Sequence, residues 1–79
     1  MELFYTIADA ACATARKAIL EAKLKEKVNF RNMYYPEVRD DFRLRGGTRL
    51  PAVWDGQRLH QGLQAVLNVL TAVAAVRAP

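Results

Sequence analysis

The chain carries one cysteine and one histidine. A lone thiol closes no internal disulfide, and that pair alone cannot complete a metal site, so no metal cofactor is expected and any redox chemistry must run with another molecule. Long apolar runs are missing too. The longest, Ala65 to Val76, is interrupted by Asn68 and Thr71 and falls short of the ~20 residues a spanning helix needs. No basic start leads into an apolar segment, because Met1-Glu2 runs directly into a strand-like stretch. The expectation is a cytoplasmic protein without a membrane partner. With four glycines and three prolines there is no linker, internal repeat or low-complexity tract, and most of these residues mark a turn.

Seventy-nine residues make one domain, 1–79, close to the size at which a single core becomes thin. A composition 52% hydrophobic and 25% charged belongs to a folded globular chain. The net charge of +4 favours anionic partners in general. Its central arginines, Arg39, Arg43, Arg45 and Arg49, are partly offset by Asp40 and Asp41, and such a run is more often a solvated helix face than a basic platform with exposed aromatics, so nucleic acid is not the expected partner.

Residues 2–6 alternate Leu3 and Tyr5 against Phe4, the pattern of a strand covered on both faces. From Ala10 to about Lys25 the chain lacks proline and glycine and favours helix, with Cys12, Ala15, Ile19 and Ala22 or Leu24 forming an apolar stripe and Asp9 as N-cap. Val28 to Met33 forms a second strand, which makes the first two strands and the helix a βαβ unit with parallel strands. Pro36 suits the first turn of a short helix through Leu44, with Val38, Phe42 and Leu44 inward, ended by Gly46-Gly47. Pro51 to Trp54 is a third strand, Asp55-Gly56 signals a two-residue hairpin turn, and Gln57 to His60 returns as a fourth. Trp54 is expected in the core and His60 at an edge. After Gly62 a last helix lines up Leu63, Val66, Leu67, Leu70 and Val73 or Ala74. The fold class is α/β with a mixed sheet, in the order βαβαββα, four strands flanked by three helices.

Within that order, Cys12 lies near the N-terminus of the first helix, where the helix dipole stabilises thiolate over thiol and Arg16 or Lys17 can add to the effect. Asp9 opposes it, since an N-cap carboxylate occupies a backbone N–H and places negative charge near the sulfur. The competing reading is a small buried thiol packed against the sheet.

The order of elements resembles the small form of the thioredoxin fold, as in glutaredoxins and the N-terminal domain of glutathione transferases. Met1-Glu2-Leu3-Phe4-Tyr5 followed by Ala11-Cys12-Ala13-Thr14-Ala15 is similar to the opening of the bacterial beta-class glutathione transferases, whose cysteine lies at this place. Leu50-Pro51-Ala52-Val53 is similar to their Val-Pro-Ala segment, and Gln61-Gly62 to the acidic-Ser or acidic-Gly pair that holds the glutamyl end of glutathione. The resemblance implies a cis Pro51 with the backbone of Leu50 free to pair with glutathione, Gln61 and Gly62 at one glutathione carboxylate, and Arg49 as a further carboxylate partner. It lacks two things: the family's helical second domain, and the second cysteine of the glutaredoxin Cys-x-x-Cys pair. Two registers therefore stay open. If Cys12 is the first cysteine, the motif reads Cys12-Ala13-Thr14-Ala15; if the second, it reads Asp9-Ala10-Ala11-Cys12, with an aspartate in the attacking position. Cys12 to Arg16 also resembles the Cys-x-x-x-Arg spacing of thioredoxin-fold arsenate reductases, a likeness confined to that motif.

Two functions follow as expectations. In the first, a monothiol glutaredoxin-like protein uses Cys12 against glutathione or protein mixed disulfides, with glutathione as substrate or co-substrate and a second glutathione releasing the product. In the second, a redox-inactive thioredoxin-fold module serves binding or assembly, and its apolar last helix pairs with a protein partner or a second copy through small residues such as Ala72 and Ala75.

Overall fold

Successive side chains of a strand point to opposite faces, and in β1 (Glu2–Tyr5) this sorts Leu3 to one side of the sheet and Phe4 to the other, both fully buried. The computed structural model describes residues 1–77. After β1 come α1 (Ala10–Glu21), β2 (Asn29–Asn32), α2 (Pro36–Leu44), β3 (Ala52–Trp54), β4 (Leu59–Gln61) and α3 (Leu63–Arg77). The strands lie in the order β2-β1-β3-β4. β1 and β2 are parallel, Leu3 opposite Phe30, while β3 runs antiparallel to β1 and β4, with Val53 opposite Leu3 and His60.

On the Leu3 face, Ala15 and Ile19 of α1 and Val66 and Leu70 of α3 close over Leu24, Val28 and Val53. On the Phe4 face, Val38 and Phe42 of α2 pack against Phe4 and Ala52, with Met33, Leu50, Trp54 and Leu59 at the margin. An α/β chain of order βαβαββα, with a four-stranded mixed sheet and three helices, has the thioredoxin-like arrangement. Among the described residues no helix is long and apolar enough to cross a membrane.

Local chemistry sets the element ends. α1 stops at Glu21 rather than near Lys25, because the Lys23 N–H bonds to the Leu20 carbonyl at 3.1 Å and the Leu24 N–H to the Ile19 carbonyl at 3.0 Å. This is a Schellman closure, with Lys23 in left-handed backbone at φ 58°, and it turns Leu24 into the core beside Ile19. α2 ends in the same way. Gly46, at φ 83°, and Gly47 donate to the carbonyls of Arg43 and Phe42 at 3.0 and 2.9 Å.

Two further sequence expectations need correction. Leu44, expected to point inward, is 87% exposed, since the helix has already turned its apolar side past the sheet by that position. The hairpin turn is a four-residue loop, Asp55 to Arg58, with β4 starting at Leu59. Asp55 causes this: its Oδ1 accepts the N–H groups of Gln57 and Arg58 at 2.8 and 2.9 Å, and its Oδ2 meets His60 Nε2 at 2.7 Å. Such side-chain turns compete with a tight backbone turn.

Candidate ligand groove

Cys12 sits on the first turn of α1, on the stripe it shares with Ala15 and Ile19, and that stripe faces the sheet. Its sulfur has no exposed surface. The Thr6 N–H points at Sγ at 3.4 Å, and Asp9 Oδ2 takes the Cys12 N–H at 2.9 Å. Burial pushes the thiol pKa up, and the carboxylate of Asp9 pushes it further, outweighing the Thr6 N–H and Arg16, which act the other way. Of the two readings the sequence left open, the buried thiol is the one found: the dipole argument holds only for a side chain turned outward, and here helical periodicity turns it inward.

Arg16, expected to steady a thiolate, is aimed elsewhere. Its guanidinium lies 4.9 Å from the centre of the Tyr5 ring, and its Nη1 is buried without a hydrogen-bond partner. Asp9 is exposed and works as the N-cap of α1.

The Leu50–Pro51 peptide bond is cis, as the resemblance implied. Leu50 lies at the end of the sheet where β1 leads into the loop before α1, and it forms the shared wall of two adjoining depressions. One is bounded by Thr6, Ala8 and Asp9. The other is bounded by Thr6, Ile7, Ala8, Asn32, Met33, Tyr34 and Arg39. Together they form a groove with Leu50 at its centre. The N–H and C=O of Leu50 make no hydrogen bond among the described residues, although the chain on either side is paired: Arg49 N–H donates to Gln61 and the Pro51 carbonyl accepts from Gly62 at 2.8 Å.

Gln61 holds this segment rather than facing outward. Its Oε1 accepts the N–H groups of Thr48 and Arg49 at 2.7 and 2.8 Å and the Thr48 hydroxyl at 3.2 Å, and its Nε2 donates to the Gly46 carbonyl at 3.3 Å. The amide expected at a ligand carboxylate is thus engaged in shaping the loop that presents Arg49 and Leu50. Gly62 has φ 91°, and a Cβ there would stand 3.2 Å from Arg49 Nη2, so the glycine both makes the turn and leaves room for the guanidinium. Arg49 forms no ion pair among the described residues, and the N–H groups of Leu63, Gln64 and Ala65 at the start of α3 have no partner there either. A cation and free helical N–H groups converge at one point, the arrangement that takes a carboxylate.

Of the residues singled out by sequence, the fold thus brings Asp9, Arg49, Leu50, Pro51 and Gly62 to one end of the sheet, puts Gln61 behind them, and seals Cys12 below. Sequence reasoning missed the opposite wall: Ile7, Met33, Tyr34 and Arg39. A signal existed, because Ile7 and Tyr34 are large apolar residues in loops, and both are strongly exposed here, at 66% and 76%. Among the described residues no group of three or more His, Cys, Asp or Glu side chains is placed to hold a metal ion. Comparison with protein-family models, curated proteins and solved structures finds no match to this chain.

Proposed function

We propose that this protein is a thioredoxin-fold binding module, redox-inactive in its native state, that holds an extended, carboxylate-bearing peptide of the glutathione type across Leu50. One observation carries the reading: Leu50 lines the groove, and its main-chain N–H and C=O have no partner among the described residues. An unpartnered main-chain donor and acceptor on one residue pair with another extended backbone as a strand edge does. Arg49 and the open N-terminus of α3 lie next to it, where a terminal or γ-glutamyl carboxylate of such a ligand ends. The wall of Ile7, Met33 and Tyr34 shields the pairing from water.

Exchange chemistry at Cys12 is the weaker reading. Attack on a disulfide needs a thiolate with a clear approach to the sulfur. A sealed sulfur with a raised pKa offers neither. The register with Asp9 in the attacking position and Cys12 as its buried fourth residue agrees with this geometry.

Titration of the ¹⁵N-labelled protein with reduced glutathione tests the proposal. The amides of Arg49, Leu50, Gly62 and Leu63 are expected to shift together and saturate, and no movement up to about 10 mM ligand overturns the assignment, since that is weaker than the lightest specific binding. Incubation with oxidised glutathione separates the rival. Native Cys12 is expected to stay unmodified and to label only after denaturation, whereas a glutathionyl mass gain that vanishes in Cys12→Ser would establish exchange instead.

A further inference from the structure

We propose, resting on that ligand reading, that Asp9 is a specificity-determining residue of the groove: it admits a peptide whose central side chain is neutral and turns away one that carries negative charge there. Asp9, Thr6, Ala8 and Leu50 bound the same depression, so a backbone paired with Leu50 lies with its central residue between Leu50 and the Asp9 carboxylate. For glutathione that residue is the cysteinyl one. The carboxylate is anchored by its own N-cap bond, Oδ2 to the Cys12 N–H at 2.9 Å, and does not swing out of the way.

Nothing neutralises it locally. Asp9 has no ion pair among the described residues, and the nearest cation along the same helix, Arg16, is stacked on Tyr5. Arg39 lines the adjoining depression and makes no ion pair with Asp9. The groove therefore has a negative end at the middle of the ligand and a positive end at Arg49, where the ligand's own carboxylate goes. A glutathione whose sulfur is a neutral thiol satisfies both ends, while a sulfonate or ionised thiol meets a fixed like charge.

The global charge makes the prediction specific. A chain of net charge +4 draws the more anionic of two ligands if only long-range attraction matters. The local carboxylate demands the reverse order.

The experiment compares reduced glutathione with glutathione sulfonate, which keeps the backbone and both carboxylates and adds one negative charge at the sulfur. Dissociation constants are read at pH 7 from the Leu50 and Gly62 amides, for the wild type and for Asp9→Asn, which removes the charge and retains an N-cap acceptor. The wild type is expected to prefer glutathione by about tenfold, the low end of what a like charge at contact range does to an equilibrium. In Asp9→Asn the two ligands are expected to bind within about twofold of each other. Equal affinity or a sulfonate preference in the wild type overturns the role of Asp9 and leaves the groove reading standing, as does a preference that persists unchanged in Asp9→Asn. If neither ligand moves those amides in the wild type, the groove reading itself fails and takes this inference with it. If the variant folds poorly, the wild-type comparison is repeated at about 1 M salt, where a preference set by charge is expected to shrink and one set by the bulk of the sulfonate is not, so an unchanged preference overturns the role of Asp9.

Discussion

On one face of the sheet, α1 and α3 together bury Leu3, Ile19, Val53 and Val66 completely, whereas on the other a single nine-residue helix presses Val38 and Phe42 onto Phe4 and Ala52. The first face is a hydrocarbon layer closed by two helices. The second is too narrow to exclude water with aliphatic groups alone and is roofed differently. Phe4 and Phe42 meet at 5.3 Å between ring centres, the guanidiniums of Arg31 and Arg45 lie over Phe4 at 5.3 and 5.6 Å, and Arg45 also covers Trp54 at 4.9 Å. Glu2 and Asp41 bridge both arginines. A small fold thus replaces a missing helix with aromatic rings under paired charge. The proposed ligand groove borders this thinner face, because Met33 and Leu50 pack on its margin. Occupancy of the groove and integrity of α2 should therefore be linked.

The comparison breaks first at Phe4. Phe4→Ala removes the ring on which Phe42, Arg31 and Arg45 all rest, and the expected cost is about 3–5 kcal/mol, read from urea unfolding. A loss below about 2 kcal/mol would mean that the thin face is a veneer and the aliphatic layer alone specifies the fold. Gly47→Ala probes the same face from the other side. Gly47 is buried, and a Cβ built there runs into the Phe42 ring, so the substitution must displace the aromatic pair. Overpacking of this kind costs about 1–3 kcal/mol. Amide exchange in α2 is expected to speed up in this variant more than exchange in α1, and equal acceleration would show that the two faces open as one unit.

Most of the scaffold was legible in the sequence because it follows from periodicity and punctuation. Alternation in β1, the stripe of Cys12, Ala15 and Ile19, and the stop at Gly46-Gly47 all appear where local rules put them. The misses have tertiary causes. α1 was expected four residues too long because helix propensity does not register Leu24 being claimed by the core, and Leu44 was placed inside because two buried neighbours one helical turn apart suggested a wider apolar side than α2 has. The site was legible only where a likeness to known proteins supplied the roles. That likeness implied the cis peptide before Pro51, yet it could not say which way Cys12 faced, because a thiol at that position serves equally as nucleophile or as core. Gln61 is a related case: a glutamine beside a helix start satisfies a ligand or its own loop with the same amide, and only the positions of Thr48, Arg49 and Gly46 show that the amide is engaged by the loop.

The charged roof gives the next and smaller test, through pH. Burial raises the pKa of Glu2, but the guanidiniums of Arg45 and Arg31 outweigh it and hold the carboxyl below its ordinary value of 4.5. A carboxyl with a depressed folded pKa contributes stability that is fully present above the unfolded value and is lost as pH falls through the folded one. The wild type should therefore lose stability below about pH 4.5, and Glu2→Gln should cost about 1 kcal/mol at pH 7 while converging with the wild type near pH 2. A difference that survives unchanged at low pH would assign the effect to shape rather than charge.

The pair Arg43–Asp40 supplies the contrast and the smallest expected effect. It sits on the same helix with a 3.2 Å contact, yet its side chains are 72% and 70% exposed, against 23% and 21% for Arg45 and Glu2. Solvent screens such a pair and side-chain entropy offsets what remains. Arg43→Ala is expected to change stability by less than about 0.5 kcal/mol at any pH from 3 to 8, measured in the same urea series. If it matched Glu2→Gln, the roof over Phe4 would owe nothing to its partial burial, and the thin face would be held by surface charge in general rather than by the ring-and-guanidinium stack.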